Sequence, residues 1–163
     1  MTKFLSALLL SLLFVSPVAA KDFPILPDHN LTPGVIDTAV TNEQLCLAGY
    51  TGSVRNVSAS TKKKVFAEYS IDPKADKFEI DHLISLEIGG KNDITNLWPQ
   101  SYTTMPWNAH VKDKLENKLH RMICDGIITK EQAQEQISKD WIKTYCNIYS
   151  DKKDDCDKYN QPK

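Results

Sequence analysis

The sequence predicts an α+β fold, disulfide-stapled, in which a hairpin and the helix after it form the centre and further helices pack around them. Three observations predict it. Two short β-like runs, Phe78 to Ile84 and Ile94 to Trp98, are separated by Gly89-Gly90 and Asn92-Asp93, residues suited to tight turns, which suggests an antiparallel pair. Helical periodicity with recognisable end signals follows from residue 107 onward. Four cysteines, an even number, occur in a chain of 163 residues.

In chain order, residues 1–20 read as a secretory leader: Lys3 gives a positive start, Phe4 to Val15 an apolar run, and Val18-Ala19-Ala20 a small-residue cleavage site. Removing them leaves about 143 residues, the length of one domain. No other apolar stretch approaches the roughly 18 residues needed to cross a bilayer. The expectation is therefore a secreted or periplasmic monomer without membrane contact after cleavage. Its net charge of about −2 excludes a globally basic nucleic-acid binder; such a partner would have to be held by a local patch or a metal ion.

Residues 21–45, with Pro24, Pro27, Pro33 and Gly34, lack periodicity and should form an irregular arm over the surface. The candidate domain spans 46–149. Within it, Gly49 to Gly52 is turn-rich, Ser53 to Val57 alternates like a short strand, and Thr61 to Tyr69 has the pattern of a short amphipathic helix led by Lys62, Lys63 and Lys64. After the paired runs, Trp107 to Cys124 predicts a helix with Val111, Leu115, Leu119 and Met122 on its apolar stripe and Gly126 at its C-cap. Thr129 and Gln132 form a capping-box pattern opening another helix, with Ala133, Ile137 and Trp141 as its packing face. Residues 150–163 read as a polar tail tied down at most through Cys156.

Cys46, Cys124, Cys146 and Cys156 permit three pairings. The simplest is a long staple, Cys46 to Cys124, with a local loop, Cys146 to Cys156. Zinc is the competing reading, but no two of them have C-x2-C or C-x4-C spacing.

Asp81-His82 at a strand end, Gly89-Gly90 in the turn, Asn96 on the return strand and Asn108 at a helix start gather polar groups at one end of a strand–turn–strand–helix order. Each has a plain structural explanation alone: a satisfied histidine, a backbone-bonding asparagine, an N-cap. Taken in order, Asp81-His82-Leu83-Ile84-Ser85-Leu86-Glu87-Ile88-Gly89-Gly90, Asn96-Leu97-Trp98-Pro99, and Asn108 with Lys112, Asp113, Leu115 and Glu116 resemble the HNH family of nucleases, the ββα-metal group, and in particular its small exported bacterial members. The core of the resemblance covers residues 79–116. Flanking segments around Cys46, Gly49-Tyr50, Val54-Arg55, Cys124, Gly126, Ala133-Gln134 and Asp140-Trp141 extend it. Asn108 stands where many members have histidine, and Ser85 where proline is frequent.

The resemblance implies an exported, metal-dependent endonuclease cleaving DNA, with RNA as an alternative, at low sequence specificity and leaving 5′-phosphate ends. In that reading His82 is the general base, Asp81 and Asn108 give oxygen ligands to one divalent ion, and Asn96 braces the loop or orients the imidazole. One carboxylate and one amide oxygen suit Mg2+ first, with Mn2+ or Zn2+ as alternatives. Lys112 is a candidate phosphate contact or an ion-pair partner of Glu116; Arg55 and Lys62, Lys63 and Lys64 are candidates for the flanking backbone. His29, His110 and His120 read as surface residues. Neighbours on a regular strand face opposite ways, so Asp81 and His82 meet at one ion only if the strand ends, twists or bulges there. The rival readings are a non-catalytic nucleic-acid or protein-binding module on the same scaffold, and a structural disulfide domain.

Overall fold

The computed structural model describes residues 23–162; the leader reading lies outside them. The elements are α1 (Asn42–Leu45), α2 (Tyr50–Val54), α3 (Ala59–Glu68), β1 (Phe78–His82), β2 (Leu97–Ser101), α4 (Ala109–Cys124), α5 (Lys130–Ile148) and α6 (Lys153–Tyr159). Mixed helix with one two-stranded antiparallel sheet makes the architecture α+β. Among the described residues no helix is long and apolar enough to cross a membrane.

The strands pair in unbroken register from Phe78↔Ser101 to His82↔Leu97. Opposed residues share a face, so the alternation along β1 sorts the site residues. Ile80 packs with Leu97 and Val65 on the α3 side. The other face carries Trp98, which joins the main core of Leu115 and Leu119 from α4 with Ala133, Ile137, Trp141 and Tyr145 from α5. The sheet is thus held between α3 and the α4–α5 layer.

The second strand begins later than the sequence suggests. Ile94–Asn96 is a 3-10 turn capped by Asp93, and the ladder starts at Leu97. Ser53 to Val57, expected as a strand, begins instead inside α2: Ser53 N–H bonds Gly49 O at 3.1 Å and Arg55 N–H bonds Thr51 O at 3.0 Å. Local bonding captures a segment too short for its alternation to find a partner strand.

From residue 23 the arm is irregular as far as α1, yet Thr32, Val40 and Leu45 are buried and Ile36 bridges Gly90, so it seals the hairpin loop rather than lying loosely on it. Helix α4 ends with Gly126 at φ 71°, the left-handed residue beyond its Asp125 C-cap. Thr129 and Gln132 close the capping box of α5. That helix is interrupted at Asp140, whose side chain accepts from Lys143 N–H at 2.9 Å.

Both expected disulfides are formed, Cys46–Cys124 and Cys146–Cys156, and no cysteine is free. The polar tail is not loose: α6 forms there, Cys156 is buried, and Tyr159 Oη donates to Asp140 Oδ2 at 2.9 Å.

Candidate active site

β1 ends without a bulge, and its regular pairing leaves Asp81 and His82 on opposite faces of the hairpin end. Beyond it the chain makes a loop that only particular residues permit. A Cβ on Gly90 would lie 1.7 Å from the Ile84 carbonyl oxygen, so a side chain there forces the loop open. Asn96, wholly buried, locks the same loop: its Oδ1 accepts from Ile84 N–H, and its Nδ2 donates to Ile84 O and Lys91 O, each at 3.0 Å. Its amide is spent on backbone, so of the two roles expected for Asn96 the geometry displays the bracing one.

The partner of the imidazole is Asn92, a residue that sequence reasoning passed over as turn chemistry. His82 Nε2 lies 3.1 Å from Asn92 Oδ1. Asn92 Nδ2 in turn donates to Val54 O at 2.7 Å, and Asn56 N–H reaches Asn92 Oδ1 at 3.3 Å. His82 is buried, and desolvation holds its pKa below the ordinary 6.5 although the charge of Asp81 and the Asn92 hydrogen bond pull the other way. It is a neutral base at neutral pH.

On the opposite face Asp81 meets α4. Lys112 is fully buried, with Nζ 2.6 Å from Asp81 Oδ2, 2.7 Å from His82 O and in hydrogen-bond contact with Glu116 Oε1. Those acceptors use all three N–H groups of the ammonium, so Lys112 has none for a phosphate, and the phosphate contact considered for it gives way to a buried ion-pair triad. Burial opposes the ammonium, but the two carboxylates override it and hold the Lys112 pKa above its ordinary value. Burial and Asp81 raise Glu116, with Lys112 opposing.

The sequence carried a signal for this. The buried residues of α4 are Ala109, Lys112, Leu115, Glu116, Leu119 and Ile123, a stripe at three- and four-residue spacing that places a lysine and a glutamate in core positions. The expected stripe through Val111 and Met122 is rotated from it; both of those are only half-buried.

More carboxylates crowd the Asp81 face. Burial, then the charges of Asp81 and Asp113, push Glu79 up to about 7, although Tyr102 Oη donates to Glu79 Oε2 at 2.7 Å. Burial and Asp81 raise Asp113 too. Glu79 Oε1, both amide atoms of Gln100 and Trp98 Nε1, all on this face, are buried without a protein hydrogen-bond partner. Asn108 caps α4, its Oδ1 accepting from Val111 N–H at 3.2 Å.

The remaining basic candidates separate. Arg55 and Lys62 line a cavity of about 240 Å³ with Asn56, Val57 and Ile80, on the same strand face as His82. Lys63 borders, with Lys62, a more apolar hollow beside Phe66, Ile71 and Pro73. Lys64 is exposed on α3. His29 and His110 are exposed, and half-buried His120 donates from Nε2 to Leu45 O at 3.0 Å.

Among the described residues, the one trio of His, Cys, Asp or Glu ligand atoms lying within 4.8 Å of one another is Cys46, His120 and Cys124. Both sulfurs are committed to a disulfide, which removes the thiolates a metal would need. The Asp81 face is therefore no closed cage. It offers separate hard oxygens, the donor set of a hydrated ion such as Mg2+ that keeps several waters and binds through one or two protein oxygens. The fit rests on the oxygen chemistry of Asp81 and Asn108, each of which also accepts a protein hydrogen bond, and on the orphaned Glu79 Oε1 and Gln100 Oε1 beside Asp81.

No family model, curated protein or solved structure matches this chain.

Proposed function

We propose that the protein is an exported, divalent-metal-dependent endonuclease of HNH type that hydrolyses phosphodiester bonds of DNA with little base specificity. The observation that carries this reading is the pairing of two unlike faces of one hairpin: a neutral, buried His82 on the strand face whose Ile80 lines the Arg55 and Lys62 cavity, and a crowded carboxylate face around Asp81. Carboxylates repel a phosphodiester, and that half makes chemical sense beside nucleic acid only with a cation to offset them.

Asp81 and Asn108 would hold the ion, Mg2+ before Mn2+ or Zn2+. Bound there, it supplies positive charge against the phosphate and the departing oxygen. His82 takes the proton of the attacking water, Asn96 keeps the loop in shape, and Arg55 and Lys62 grip phosphates on the His82 side. Because Asp81 and His82 face opposite ways, one phosphate meets both only if the substrate reaches across the hairpin end. No base-reading module accompanies so short a chain, which is the ground for low specificity.

The purified, oxidised protein should nick plasmid DNA with Mg2+ and stop with a chelator, leaving 5′-phosphate ends. His82→Ala should slow cleavage about 100-fold or more; an unimpaired His82→Ala protein removes the imidazole from the chemistry. One observation favours a second reading, a non-catalytic binding module on this scaffold: Asp81 already gives Oδ2 to Lys112. DNA binding without metal-dependent nicking would select it.

A further inference from the structure

Asn92 lies between the imidazole and the end of α2, and its partners fix which way round its amide sits. Val54 O can only accept, so the Asn92 atom 2.7 Å from it is the NH2 group. Oδ1 therefore faces the other side, toward His82 Nε2 at 3.1 Å and the Asn56 N–H at 3.3 Å. An amide oxygen has no hydrogen to give, so Nε2 must carry one. A neutral imidazole holds a single N–H, which leaves the lone pair on Nδ1.

We propose that Asn92 is a positioning residue that locks His82 in its Nε2–H form, so that Nδ1 is the nitrogen presented to the water. The proposal rests on the endonuclease reading for its purpose, though not for its geometry. The three contacts made by Asn92 bridge 10, 36 and 38 residues of sequence. The same amide that sets the imidazole thus also anchors the Val54–Asn56 segment carrying Arg55. A free imidazole populates both neutral forms, and one that offers the wrong nitrogen is idle as a base. An aspartate at 92 keeps an acceptor for Nε2–H but loses the donor to Val54 O; a leucine keeps neither.

The test is 15N NMR of histidine-labelled protein, with His82 assigned by its absence in His82→Ala. The wild type should show the Nε2–H pattern at a pH where the ring is neutral. Asn92→Asp should keep it, and Asn92→Leu should drift toward a mixture. In the nicking assay Asn92→Leu should lose about 10- to 100-fold in kcat, and any rise in KM should be shared by Asn92→Asp, which loses the same Val54 bond. A wild-type Nδ1–H pattern overturns the proposal, as does an unchanged Nε2–H pattern in folded Asn92→Leu. If Asn92→Leu does not fold, the wild-type and Asn92→Asp spectra decide. Absence of any nuclease activity sinks the endonuclease reading while the spectra still judge the tautomer.

Discussion

Replacing Lys112 by Met tests the centre of the site most severely, because the ammonium answers three acceptors from inside the protein. It is fully buried and bonds Asp81 Oδ2 at 2.6 Å, His82 O at 2.7 Å and Glu116 Oε1. Met fills much of the same volume, so the loss is chiefly electrostatic: two carboxylates face each other without a counter-charge and one carbonyl loses its donor. Removing one partner from a buried ion pair costs about 3–5 kcal/mol. At about 3 °C per kcal/mol for a domain of this size, the melting temperature should fall by about 9–15 °C. The signature of charge is its pH dependence. In the variant burial still raises Glu116 and the opposing charge of Lys112 is gone, so the folded state binds that proton more tightly than the unfolded chain does and stability falls as pH rises above the ordinary carboxylate range. The deficit against wild type, measured by calorimetry, should therefore be smaller near pH 5 than near pH 8. A loss under 3 °C, or the same loss at both pH values, would refute the assignment of Lys112 as the neutralising charge of this interior.

Glu79 offers a milder test of the same face. Its pKa is raised from 4.5 to about 7, so the folded state holds the proton longer than the unfolded chain, and stability should decline as pH rises across that interval. Glu79→Gln should flatten this part of the melting profile; parallel profiles for the two proteins would count against it. The two disulfides should be unequal. Opening Cys46–Cys124, with a sequence separation of 78, should cost about 4–5 kcal/mol by chain entropy. Opening Cys146–Cys156, with a separation of 10, should cost about 2–3 kcal/mol, and denaturant titration of the paired Cys→Ser variants orders them.

Where the sequence states a local rule, the structure follows it: the Thr129 capping box, Gly126 past the end of α4, and the cysteine pairing of lowest complexity all appear as read. Those features are decided within a few residues or by a small number of combinations. The misreadings come from tertiary choices. Alternation at Ser53 to Val57 lost to helical bonds beginning at Gly49. The tail has no apolar stripe to announce α6, which is held by Cys156, the Tyr159–Asp140 bond and a Lys153–Asp157 pair.

The site divides the same way. Asp81, His82, Asn96 and Asn108 stand out by their order along the chain, which places them on their elements but says nothing of their partners. Asn92 meets His82 only because the loop folds back over α2, a contact no spacing rule contains. Lys112 is legible in part: its four-residue spacing to Glu116 states the ion pair, but the stripe expected through Val111 and Met122 leaves it outside the core, and only the fold brings Asp81 and the His82 carbonyl to it.

The Cys46–Cys124 link closes a covalent ring around α2, α3, both strands and the whole of α4. A protease that clips any single peptide bond within that ring opens it without detaching a fragment. The nicked chain keeps its mass on a non-reducing gel and comes apart only when thiol is added, so the hairpin and its helix stay tethered through damage that would split an unbridged protein.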